Sequence, residues 1–188
     1  MRTLVCLVIA SVLVASRDQA QSLQRFLYVA LPGVADEVNH GGVGVLVFDV
    51  DNGYRVVKRI ATWHPAAGDG DEPIKGIAAN ARTGRLYVST TQRLAAFDLL
   101  TDNIVWQRTN LTGCCDRLAL SPDGRTLYVP SLHAPPWHVI NSANGVLLAM
   151  VSKDGLSHDT IYGPDGQHVY LESLGSRYRW PTRRPIRS

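Results

Sequence analysis

The sequence predicts an all-β chain: a β-propeller of four-stranded antiparallel blades, with about three to four blades present, as a partial propeller or open arc, in 188 residues. Two observations carry that prediction. The first is a recurring phrase, in which an apolar run, a tight turn and a second apolar run around a tyrosine follow one another. It reads GIAANARTGRLYV at 76–88, DRLALSPDGRTLYV at 116–129 and TIYGPDGQHVYL at 160–171, with FLYVA at 26–30 as a partial copy. The markers Tyr28, Tyr87, Tyr128 and Tyr170 are 59, 41 and 42 residues apart. Four short strands per period of about 40 residues is the sequence form of a propeller blade. The second observation is that no long 3.6-residue periodicity occurs beyond the first 16 residues, so no helix is predicted. A single four-stranded sheet cannot bury both faces alone, so successive sheets must stack.

The elements follow in chain order, lettered A to D within a blade. Residues 25–31 are a strand by their aromatic and β-branched content. Residues 32–42 are a turn-rich loop, and 43–50 (VGVLVFDV) a second strand. Asp51-Asn52-Gly53 is a hairpin signal leading into a third strand over 54–62, and 63–73 is loop again. The next period is complete, with strands at 75–81, 85–90, 93–99 and 104–109. The third repeats it at 116–120, 126–131, 137–141 and 146–152. The fourth starts at Asp159 and gives two strands through Ser173. The blades thus lie near 25–62, 75–109, 116–152 and 159–174.

That inventory is short of a ring of six to eight blades, and an Arg/Pro-rich stretch, 176–188, stands where the next strand should begin. The expectation is a truncated or frameshifted longer propeller with a disordered tail, against a compact four-bladed ring as the other possibility. Open blade edges would invite self-association.

Residues 1–16, MRTLVCLVIASVLVAS, read as an export signal: Arg2, an apolar run, and a small-residue cleavage site at Val14-Ala15-Ser16. The run, about 12 residues, is short for a membrane span. The expected location is therefore periplasmic or extracellular, with no stable span after cleavage; an uncleaved anchor is the alternative. Cleavage leaves Cys114 and Cys115 in a compartment where disulfides persist. The net charge of +3 belongs to the tail, whose last 13 residues hold five arginines. The remainder carries 14 basic and 16 acidic residues, which gives no basic face for nucleic acid.

SPDGRTLYVPS (121–131) followed by WHVINSANGVLLAMV (137–151) resembles the YVTN-type β-propeller repeat, among the quinoprotein amine dehydrogenase β-chain-like propellers. The resemblance covers roughly residues 25–174. AFDLLTDNIVW (96–106) is similar to the tryptophan-docking repeat of pyrroloquinoline-quinone dehydrogenases: Ala96, Asp98, Thr101 and Trp106 match, and Asp102 stands where glycine is usual. The resemblance implies structural roles for Trp106, Tyr87, Tyr128 and Tyr170. It also allows an enzyme, since related propellers include amine-dehydrogenase subunits and lactone hydrolases. Only under that alternative does it imply pyrroloquinoline quinone or a channel metal.

Successive antiparallel strands put the tight A–B and C–D turns on one face and the B–C and D–A loops on the other. The second face collects His40, His64, Cys114, Cys115, Asp116, Arg117, His133, His158 and Asp159. Long loops on a rigid scaffold are where binding concentrates. Cys114 and Cys115 either close a vicinal disulfide capping a binding mouth or pack as reduced thiols. The four histidines on these loops have no HxH or HxxxH spacing, so no metal site is expected. Asp116-Arg117 and His158-Asp159 hold equivalent D–A positions, where blade-to-blade hydrogen bonding outweighs catalysis. His138 and His168 read as packing or rim residues. The functional expectation is a non-catalytic scaffold that binds a protein, carbohydrate or small ligand with no resident cofactor.

Overall fold

The computed structural model describes residues 23–32, 43–63 and 72–175, and the backbone of 186–187. Among these residues 14 strands form four antiparallel sheets. The first holds β1 (Phe26–Leu31), β2 (Gly44–Asp49) and β3 (Arg55–Ile60). The second holds β4 (Ile74–Asn80), β5 (Arg85–Thr90), β6 (Leu94–Asp98) and β7 (Ile104–Arg108). The third holds β8 (Ala119–Leu120), β9 (Thr126–Pro130), β10 (Pro136–Asn141) and β11 (Leu147–Ser152). The fourth holds β12 (Leu156–Tyr162), β13 (His168–Leu174) and β14 (Ile186–Arg187). Each sheet pairs strands in chain order, so the molecule is a partial propeller of four blades. No helix among the described residues is long and apolar enough to cross a membrane.

Register shows how the repeated phrase becomes a repeated shape. Tyr87 pairs with Ala78 and Ala96, Tyr128 with Ala119 and Val139, and Tyr170 with Ile161. Each of these tyrosines therefore occupies the same slot of strand B. Tyr28 occupies it too, which makes β1 a B strand, with no A strand beside it among the described residues. Strands β4, β8 and β12 contact one another in succession and so lie nearest the common axis.

Alternation on strand B builds the core. In the second blade Tyr87 points to the third blade, while its neighbours Leu86 and Val88 point back to the first. Leu86 and Val88 pack with Val45, Val47 and Ile60 of the first blade. Tyr87, Leu94 and Ala96 pack with Leu127, Val129 and Ile140 of the third. Tyr128 and Val139 pack with Val169 and Leu171 of the fourth. Each fully buried aliphatic side chain removes apolar area worth roughly 1.5–3 kcal/mol from water.

Trp106 fastens the second junction. Its indole N–H donates to the Ser142 carbonyl at 2.9 Å, and its ring stacks at a tilt 6.1 Å from Tyr87. The ring lies over Gly145, where an added Cβ would come within 2.7 Å of it. Asp102, the residue replacing the expected glycine, adopts the left-handed conformation (φ +59°) that glycine favours. Its carboxylate accepts from Lys58 of the first blade at 2.6 Å, so it also bridges a junction.

The elements depart from expectation at four places. Asp51-Asn52-Gly53 does close a hairpin, but through a three-ten turn, Val50–Asn52, because Asp49 accepts from Asp51 N–H and from the Asn52 side chain. Strand A of the third blade shrinks from 116–120 to Ala119–Leu120, because Cys115 N–H and the Asp116 carbonyl bond to the preceding blade instead. Strand A of the last blade starts at Leu156 rather than Asp159, since a bulge at His158 keeps Ser157 paired with Ser173. Finally, Ile186–Arg187 pair with β13 as a short third strand where only tail was expected. The export-signal reading of 1–16 and most of the tail lie outside the described residues.

Gly84 and Gly145 both sit at positive φ, but only Gly145 faces a ring. Gly84→Ala should cost about 1–2 kcal/mol from backbone conformation. Gly145→Ala should cost a further 1–3 kcal/mol, roughly, from overpacking against Trp106. Urea unfolding midpoints of the two variants measure the difference, and equal losses would rule out the docking contact.

Candidate functional site on the loop face

Tight turns of neighbouring blades meet one another, Gly124 against Asn80 and Thr83, and so do their loops, Gly113 of a D–A loop against Ala134 of a B–C loop. On the loop face three sequence-predicted residues converge. They are Asp116, Arg117 and His158; Asp116 and His158, like Lys75 of the second blade, stand three residues ahead of the residue that pairs with the marker tyrosine. Lys75 in β4 and His158 in β12 are both bulge residues, and the His158 side chain meets the third blade. His158 Nδ1 lies 2.5 Å from Asp116 Oδ2, and Arg117 Nη1 lies 2.7 Å from His158 Nε2.

The donors decide the tautomer. A guanidinium only donates, so Nε2 accepts from Arg117, and the proton sits on Nδ1 and is donated to the Asp116 carboxylate. Asp116 is buried, His158 half-buried and Arg117 exposed. The trio is thus a closed relay between two blades, the blade-to-blade bonding that its repeat positions implied. Asp159 stays outside it, its carboxylate accepting from Thr160 N–H at 2.7 Å.

Cys114 and Cys115 are joined as a vicinal disulfide. They do not cap an open mouth. Cys115 is 0% exposed and Cys114 6%, and both pack with Tyr87, Leu94, Leu118 and Val129. The pair is a core element because flanking backbone turns inward: Cys115 N–H donates to the Thr90 carbonyl at 3.0 Å, and Asp116 N–H to the Pro130 carbonyl at 2.9 Å.

His133 is exposed on the B–C loop of the third blade. That loop is stitched down on both sides. Leu132 N–H donates to the Ser157 carbonyl and Ser157 N–H to the Ala134 carbonyl, while the Ser157 hydroxyl bonds Ser131 N–H and the Pro136 carbonyl. Leu132 is held at φ +64°, a conformation that a bulky residue adopts only when its surroundings impose it. Gly113 of the D–A loop fits beneath Ala134, with only 2.7 Å left for a Cβ. His40 and His64 lie outside the described residues.

Sequence reasoning missed a second polar cluster on this face. Glu72 is buried and takes Arg93 bidentately, at 2.5 Å to Nε and 2.7 Å to Nη2. The Thr90 hydroxyl donates to the same carboxylate at 2.6 Å. Arg93 also stacks 4.9 Å over Trp63, which packs on Phe97. Glu72 and Arg93 stand 21 residues apart in two loops, so no local spacing announced them. Thr90 links the two clusters, since its carbonyl receives Cys115 N–H.

His138 is fully buried in β10, with its Nε2 unpartnered. Burial pushes its imidazole below the ordinary range, partly offset by a backbone hydrogen bond with Val129. His168 instead pairs with Asp165 on the tight-turn face. That face also holds a cleft of about 320 Å³ between the second and third blades, lined by Thr83, Arg85, Arg125 and Asn141 among others.

No family model and no curated protein matches the chain. Among solved structures, Kuenenia stuttgartiensis hydrazine synthase is similar, at a TM-score of 0.55 and 17% identity. The match covers 71% of this chain and 37% of that one, so the chain spans little more than a third of it. The likeness is one of fold. It agrees with a partial propeller and carries no chemistry across.

Two measurements check this geometry. Arg93→Met, which leaves the Glu72 carboxylate buried without its cation, should cost about 3 kcal/mol, the low end for a broken buried pair because Arg93 is partly open to water. An unchanged melting curve would deny the pair its structural role. For His138, the folded protein holds the neutral form while the unfolded chain takes a proton in the ordinary range, so its stabilisation is complete above about pH 6.5 and lost as pH falls. Stability should therefore drop below that pH by up to about 1.4 kcal/mol per unit. His138→Gln should lack this component when both proteins are unfolded in urea across the range.

Proposed function

We propose that the chain is an exported, non-catalytic propeller-repeat protein that binds a partner through its B–C and D–A loop face. The observation that carries this reading is the closed Asp116–His158–Arg117 relay. A general base needs a ring nitrogen within reach of the substrate proton. Here Nδ1 is turned to Asp116 and Nε2 to Arg117, so neither is presented outward. The same bonds make the loops rigid, as do the Ser157 stitches under His133. Rigid loops carrying exposed polar groups suit recognition, because little conformational freedom is lost on binding.

Exposed Arg117 and His133 favour a ligand that presents acceptors, whether peptide carboxylates and carbonyls, sugar hydroxyls or a small anion. The YVTN-type resemblance supports a repeat scaffold in the same sense, and the Trp106 contact belongs to the fold rather than to a quinone site. The test is a binding screen of the purified protein against peptide and glycan arrays, followed by titration of hits. Arg117→Ala or His133→Ala should weaken a genuine hit roughly tenfold, about 1.4 kcal/mol. Arg82→Ala, on the opposite face, should not. Metal at stoichiometry, or a quinone chromophore in the same sample, would overturn the reading in favour of a quinoprotein- or lactonase-type enzyme.

A further inference from the structure

Every blade junction in the chain has the same two halves. One blade contributes its trailing face, with the strand-B tyrosine and the strand-A residue paired to it. The next contributes its leading face, with the aliphatic residue just before its own tyrosine. Tyr87 and Tyr128, on trailing faces that meet a following blade, are 1% and 7% exposed. Tyr170, in the same slot of the fourth blade, is 43% exposed, and its partner Ile161 is 66% exposed. The leading faces show the mirror of this. Leu86 and Leu127 are 0% exposed and Val169 4%, whereas Leu27 of the first blade is 45% exposed, with Phe26 beside it at 39%.

The two free ends of the arc are therefore not two arbitrary apolar patches. They are the complementary halves of an interface that the chain already makes three times. None of the apolar clusters among the described residues joins the fourth blade to the first, so no described residue satisfies one of these faces with the other.

We propose that a second copy of this chain covers both ends: the trailing face of blade four in each copy packs on the leading face of blade one in the other. Under a twofold axis each copy's trailing face meets the other's leading face, and the two equivalent contacts close a ring. Four sheets from each copy give eight blades, within the range in which propellers close. The loop faces of the two copies then share one rim.

The test uses the purified full chain and two variants of opposite charge, Leu27→Lys and Tyr170→Glu, each of which spoils one half of the junction. Both positions are exposed in the single chain, so cooperative melting of each variant serves as the folding control. Light scattering after gel filtration should give twice the chain mass for the wild type and the single chain mass for either variant. An equimolar mixture of the two variants should recover the doubled mass, because one junction then pairs the native Tyr170 and Leu27 and the other pairs the introduced glutamate with the introduced lysine. A wild type that stays monomeric at about 100 µM overturns the proposal. So does a dimer that both variants leave intact, or a mixture that fails to recover. Open oligomers larger than two copies would also overturn it, since the ring of two is the state proposed.

Discussion

A propeller blade presents two apolar faces, and its own hydrogen bonds satisfy neither. Every other feature of this chain follows from how those faces are matched. The match is written into strand B, where alternation sends a tyrosine one way and aliphatic side chains the other. The tyrosine reaches across to fill the space above the next blade's Leu or Val, and small residues beside it, Ala78 and Ala96, leave room for the ring. The period in the low forties is thus a packing requirement repeated along the chain.

The loop face inherits its rigidity from that stacking. Backbone between 113 and 118 divides its bonds between two blades, Cys115 N–H going to Thr90 of the second and Asp116 N–H to Pro130 of its own. This shortens β8 and seats the cysteine pair in the core, and it holds Asp116 where a neighbouring blade's bulge can deliver His158. The candidate site is accordingly a product of the junction between blades. Any change that loosens the stacking of the third and fourth sheets should disturb the site, although no ligand-facing residue has moved.

Much of the architecture was legible in the sequence because it repeats. The DRLALSPDGRTLYV phrase and its copies gave strands, turns and face assignment, since each rests on local alternation and turn chemistry. The equivalence of Asp116 and His158 could be read from the period as well. What repetition does not carry was less visible. The Glu72–Arg93–Thr90 cluster joins residues from different loops with no shared spacing. The cysteine pair was left between capping a mouth and apolar packing, because its position in a loop said nothing of the inward turn of its backbone. The extra residue at His158 shifted a strand boundary, as bulges do, without leaving a sequence mark.

The ion pair between Lys58 and Asp102 has a consequence for how the arc comes apart. Both side chains are about one-third exposed, so their attraction is one that dissolved salt screens. The second junction is fastened instead by Trp106 on Ser142 and Gly145, a contact with no net charge to screen. Raising ionic strength therefore acts unevenly along the molecule. It weakens one tie of the first blade to the second, by at most about 1 kcal/mol, and leaves the tryptophan contact as it was.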